Sequence, residues 1–162
     1  MRFSLAIAVA ALALMGCHKQ VPKVSEQAIR AIHASEPGMT DECLDKIRWG
    51  GIQAMPNAID QCFRMDRPRR WRGLWLNAFE YSRFCPAPAH ECSYGDPRTS
   101  FWLTGSRSVR LPQYQGQPQS PVYEVEFIGR KTAFPGHYEG GSQQEIIVDR
   151  MISMKPVTSL AK

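Results

Sequence analysis

A chain of 162 residues and 18.3 kDa has room for one ordinary domain, which excludes a large multidomain enzyme. Its 43% hydrophobic content is too high for a wholly disordered chain, and at this length roughly two thirds of the unfolded surface can be buried. A net charge of +5 and a pI near 9.1 make it basic, and no motif in it fixes a reaction or a ligand.

The first segment reads as an export signal. Met1-Arg2 carries one positive charge and Phe3 to Met15 carries none. As a helix this run of about 13 residues is on the order of 20 Å long, too short for a hydrocarbon core of about 30 Å. A charged start, a short apolar run and small residues mark a secretory signal. The alternative is a buried core helix, but apolar side chains surround the whole run and leave no polar face.

Leu14-Met15-Gly16-Cys17 resembles the lipobox of bacterial lipoproteins, with Leu three places before the cysteine and a small Gly just before it. Met15 departs from the small or β-branched residue usual in that position. The resemblance covers residues 1–17 only and is silent on the folded part. It implies cleavage after residue 16, a diacylglycerol thioether on Cys17 and acylation of the new amine. His18, where Asp would retain the protein, implies an outer-membrane anchor facing the periplasm. Several acyl chains hold far more firmly than one, and residues 17–24 read as a short polar tether. An ordinary signal peptide that happens to contain a cysteine is the other reading.

Cysteine arithmetic agrees with export. Of five cysteines, assigning Cys17 to lipid leaves Cys43, Cys62, Cys85 and Cys92, an even set that can pair completely. Pairing of sequence neighbours, Cys43 with Cys62 and Cys85 with Cys92, is preferred because each pair lies within one local segment. Cys85, His90 and Cys92 would be a metal alternative, but no second pair with zinc spacing follows and an oxidising compartment favours disulfides. No metal or cofactor is expected.

Residues 25–65 carry helical signals. Ser25 suits an N-cap for a helix to about Ala34, and Pro37-Gly38 ends it. Thr40 is a second N-cap candidate, with Asp41 and Glu42 at the positive helix end and Gly50-Gly51 as the stop. Pro56 fits the first position of a third helix, with Ile59, Cys62 and Phe63 at helical spacing. A Cys43–Cys62 bond would then staple two helices into a hairpin.

Residues 70–157 carry strand signals. Trp71 to Phe84 is an aromatic-rich stretch in which Gly73 marks a bulge or bend. Phe101 to Thr104 is a short strand. Val122 to Ile128 alternates, with Tyr123, Val125 and Phe127 on one face and Glu124 and Glu126 on the other. Glu145 to Met154 places Ile146, Val148, Ile152 and Met154 in register, with Ile147 and Met151 opposite, which suggests burial on both sides. Val109 to Leu111 is a candidate fifth strand, and Pro112 to Pro121 an exposed loop. The expected fold class is α+β, a single domain over residues 25–160. A small helical cap (25–65) precedes a compact antiparallel sheet or small oligonucleotide/oligosaccharide-binding (OB)-like barrel of four to five strands (70–157).

Two places suggest binding. Arg64, Arg67, Arg69, Arg70 and Arg72 stand against Asp66 alone, a positive potential suited to phosphate or anionic lipid head groups, with Trp71 and Trp75 nearby. A solvated linker with both Trp residues in the core explains the same run. The connection from Lys131 to Gln144 is far longer than a hairpin needs and carries His137 and Tyr138 between Pro135-Gly136 and Gly140-Gly141. A self-packed loop is the alternative there.

For catalysis, no Gly-x-Ser-x-Gly, His-Glu-x-x-His, P-loop or dinucleotide fingerprint occurs. The four histidines are scattered, and Glu124 with Glu126 reads as a solvated sheet face. These readings lead to an exported, lipid-anchored envelope protein with a non-catalytic binding or structural/accessory role. Arg69, Arg70, Arg72, His137 and Tyr138 are its candidate binding residues. Its expected partners are the membrane, through the N-terminal lipid, and an envelope protein or anionic lipid; nucleic acid is not expected. The runner-up is a small periplasmic hydrolase-type enzyme using Glu80 or His137.

Overall fold

Two capped helices form where the capping residues require them. The computed structural model describes residues 23–92, 101–116 and 121–157; the expected signal segment, and Cys17 as the expected lipidation site, lie outside the described residues. Helix α1 runs Glu26–Ser35, with the Ser25 hydroxyl accepting the Ala28 amide at 3.2 Å. Helix α2 runs Asp41–Gly50, capped likewise by Thr40 on the Cys43 amide, and Gly51 ends it at φ 80°. Among the described residues no helix is long and apolar enough to cross a membrane.

The expected third helix does not form. Pro56 is followed only by a single 3-10 turn, Ile59–Gln61, after an earlier turn at Ile52–Ala54. Tertiary pairing takes over: the Thr40 amide donates to Cys62 O and the Arg64 amide to Gly38 O, which pairs Phe63 with Met39 and draws the chain after Cys62 beside residues 38–40. The Cys43–Cys62 disulfide therefore ties α2 to the end of a single 3-10 turn, not to a second helix. Around it pack Ile29, Met39, Leu44, Ile47 and Phe63, the core of the cap.

Five strands follow: β1 (Arg69–Ala78), β2 (Tyr81–Pro86), β3 (Phe101–Gly105), β4 (Val122–Lys131) and β5 (Glu145–Pro156). They close into a barrel in the order β1-β2-β3-β5-β4, so of the two expected architectures the small barrel is the one present. It is not wholly antiparallel, because β3 and β5 run parallel. The fifth strand comes from the aromatic stretch 71–84, which folds as a hairpin about Phe79-Glu80; Glu80 takes φ 51° to make so tight a turn. Val109 to Leu111 forms no strand. Val109 and Leu111 instead pack against the barrel core.

Gly73 is not a bulge. It lies in regular register between Pro86 and Val125, and a Cβ there would collide with the Cys85 carbonyl oxygen, so it permits close strand approach. The real irregularities are on β5, where the register against β4 shifts twice, at Ile128/Gly129 and Glu126/Phe127. Each shift reverses which face later residues take. Ile146 and Val148 point into the barrel and Met151 packs against its core; Ile152, left without a partner at the second shift, is exposed, contrary to simple alternation, and Met154, back opposite Val125, is exposed towards the end of the strand.

Trp71, Trp75, Phe84, Leu103, Val125 and Phe127 complete the interior. The Trp71 indole N–H donates to Gly129 O at 3.1 Å, and that of Trp75 to Ser82 Oγ at 2.9 Å, so both buried donors are satisfied. Cap and barrel are latched by Arg130. Its guanidinium is bidentate to Asp149 and reaches Asp60 of the cap at 3.1 Å.

Candidate functional site

Strand alternation that sends Phe84 and Leu103 inward sends Tyr81, Arg83, Trp102 and Thr104 outward on β2 and β3. Tyr81 meets Trp102 edge to face with ring centroids 6.2 Å apart, and the Arg83 guanidinium lies 4.8 Å from the Tyr81 ring centroid. Gly140, at φ 61°, sits so close to the Trp102 indole that any side chain there would strike it; the β4–β5 connection thus rests on the ring. At the hairpin tip Phe79 is 73% exposed. Along this face runs a shallow cleft of about 830 Å³, bounded also by Arg110, Gln113 and Tyr114.

The arginine run takes a different form from the open patch its sequence suggests. Arg69 stacks on Trp71, its guanidinium 3.8 Å from the ring centroid. Arg70 and Arg72 both bind Glu126 of β4, Arg72 through Nε at 3.1 Å. Desolvation alone would raise the Glu126 carboxyl, but hydrogen bonds and charge from Arg72 and Arg70 outweigh it and hold the pKa below the ordinary value. Glu126 is therefore not a merely solvated strand residue; it neutralises part of the patch.

His137 and Tyr138 belong to a loop clamped on the cap. The His137 amide donates to Glu36 at 3.2 Å and its Nδ1 lies 2.8 Å from the same carboxylate. Tyr138 is buried against Phe63, ring centroids 5.1 Å apart, with its hydroxyl donating to Phe134 O. Burial chiefly, with the nearby charges of Glu36 and Glu145, raises the Tyr138 phenol against a hydrogen bond to Thr132. The connection is thus the self-packed kind. Glu80 lines the cleft along β2 and β3, whereas His137 lines the cleft between cap and barrel and another beside Pro135 and Gln143.

Cys85 is bonded to Cys92 and Cys43 to Cys62, the preferred pairing, which removes Cys85 and Cys92 as metal ligands. Among the described residues no group of three His, Cys, Asp or Glu stands close enough to hold a metal ion.

One group was not singled out from the sequence. Glu145 opens β5 on the barrel's outer face, 4% exposed, at a cleft of about 510 Å³ between cap and barrel. Burial raises its carboxyl to about 7; a hydrogen bond from Thr104 opposes the rise and the charge of Glu139 adds to it. In the sequence it is only the polar residue before Ile146, and nothing local shows that the cap will cover it.

Comparison with family models, with curated proteins and with solved structures finds no match to the chain in any of the three. The fold and its clefts alone define the class: a small closed barrel with a disulfide-stapled helical cap.

Proposed function

We propose that the protein is an exported, lipid-anchored binding module of the bacterial envelope, without catalytic turnover, that holds an oligosaccharide along the outer face of β2 and β3. The anchor rests on the lipobox-like Leu14-Met15-Gly16-Cys17 and on the cysteine parity that leaves two complete disulfides once Cys17 is set aside. The ligand class rests on one observation: Phe79, Tyr81 and Trp102 line one cleft together with Arg110, on the strands that barrels of this kind use for oligonucleotides and oligosaccharides. Aromatic faces stack on the apolar faces of sugar rings, and in an exported protein a glycan is the polymer within reach. The run Arg69, Arg70, Arg72 supports anionic lipid less well, because Glu126 already holds two of its three cations.

The test is retention of the full-length protein on insoluble envelope glycan, competed by soluble chito-oligosaccharide. Phe79→Ala, at a tip too exposed to carry the fold, should weaken retention about tenfold if one stacked ring is lost. Equal retention of wild type and variant, or retention that the oligosaccharide does not compete, would overturn the glycan reading; capture of an envelope protein through the same face would replace it.

A further inference from the structure

The cleft between cap and barrel plays no part in that reading and shares only Thr104 and Gly105 with the cleft along β2 and β3. Met55, Ile59 and Phe63 of the cap and Ile147 of β5 give it apolar walls. Glu145 lies in its lining, the one buried carboxyl among the described residues. Among the described residues, the groups acting on that carboxyl are the Thr104 hydroxyl, which donates to it, and the like charge of Glu139, with no cation beside them. A buried carboxylate without a cation is costly unless something supplies one.

The other ionisable groups around the cleft do not fill that role. Asp60 is held by Arg130, His137 by Glu36, and Arg107 is exposed beyond the end of β3. Tyr138 adds a phenol that stays neutral. An apolar cavity with one deep ionisable group is the usual form of a small-molecule site, the apolar walls supplying affinity and the polar group orientation.

We propose that this cleft binds a small organic cation, a primary ammonium on a short apolar body, with the ammonium paired to Glu145 and the body against Ile59, Phe63 and Ile147. The ammonium takes the place of a proton on the carboxyl, so binding releases that proton near neutral pH.

The test uses n-butylammonium as probe, with butan-1-ol and butyrate as neutral and anionic controls, followed by backbone amide shifts in the isotope-labelled full-length protein. The expected result is saturable shifts at Thr104, Gly105 and Ile147 with the amine alone. Because only ionised Glu145 binds, affinity should be about tenfold weaker at pH 6 than at pH 8. Glu145→Gln should lose at least about tenfold in affinity and all of the pH dependence. Absence of saturable shifts at these residues, equal binding of amine and alcohol, or a pH dependence that survives in Glu145→Gln would each overturn the proposal. Should the variant fold poorly, the amine measured against butan-1-ol and butyrate on the wild-type protein still decides the matter.

Discussion

Glu145→Gln should make the protein more stable above neutral pH, although it alters a buried hydrogen-bonded residue. Burial carries the Glu145 carboxyl from an ordinary 4.5 up to about 7 in the folded state, against the partial relief of the Thr104 hydroxyl. Between those values the native state keeps a proton that the unfolded chain has released. Stability contributed by this group is therefore complete below about pH 4.5 and is lost as pH rises through about 7. At roughly 1.4 kcal/mol per pH unit, ionising it in place costs on the order of 3 kcal/mol by pH 8.5. Gln keeps the shape and cannot ionise, so it removes that slope. The assay is urea denaturation of wild type and variant, disulfides intact, from pH 4.5 to 8.5. We expect the variant to be about 1 kcal/mol less stable at the acid end, through the changed bond to Thr104, and to gain with pH until it is about 2–3 kcal/mol more stable at the alkaline end. A constant difference across the pH range, or a variant less stable at pH 8.5, would refute the reasoning.

Other perturbations probe the remaining joints. Arg130→Met leaves Asp149 and Asp60 without their shared cation and should cost about 2 kcal/mol, with cap amides exchanging faster than barrel amides by hydrogen exchange. Replacing both Cys43 and Cys62 by Ser opens a link between residues 19 apart and should cost about 3 kcal/mol, read by denaturant midpoint, with α1 and α2 losing exchange protection first. Gly73→Ala drives a Cβ into the Cys85 carbonyl oxygen and should destabilise by more than about 2 kcal/mol, a large effect for one methyl group, measured by thermal melting. Glu126→Gln frees Arg70 and Arg72 and should raise retention on anionic vesicles in low salt while shifting the melting temperature little.

What the chain reveals by itself is what is local. Ser25 and Thr40 signal their helices because a cap satisfies orphan amides within a few residues. The neighbouring cysteines pair as spacing suggests, and β4 alternates because one of its faces lines the barrel. What escapes is set by distant partners. Pro56 to Phe63 has helical spacing, yet bonds with residues 38–40 draw the chain after Cys62 beside them. The turn at Phe79-Glu80 carries neither Gly nor Asn, so the hairpin hides inside an unbroken aromatic run. The register shift at Glu126/Phe127 leaves Ile152 without a partner on β4 and exposed, where plain alternation would bury it. The cleft at Glu145 draws on residues 55–63, 104–107, 137–139 and 145–147, so no window of sequence contains it. The arginine run was visible, but its counter-ion Glu126 comes from a strand more than fifty residues away.

The measurement that bears most directly on an exported, anchored binding module is the mass of the N-terminal and cysteine-bearing peptides of the protein taken from the cell envelope, alkylated before digestion. We predict that the chain begins at Cys17 carrying a diacylglycerol thioether and an N-acyl group, with Cys43, Cys62, Cys85 and Cys92 all protected from alkylation. An intact Met1, an unmodified Cys17 and four alkylated thiols would contradict it.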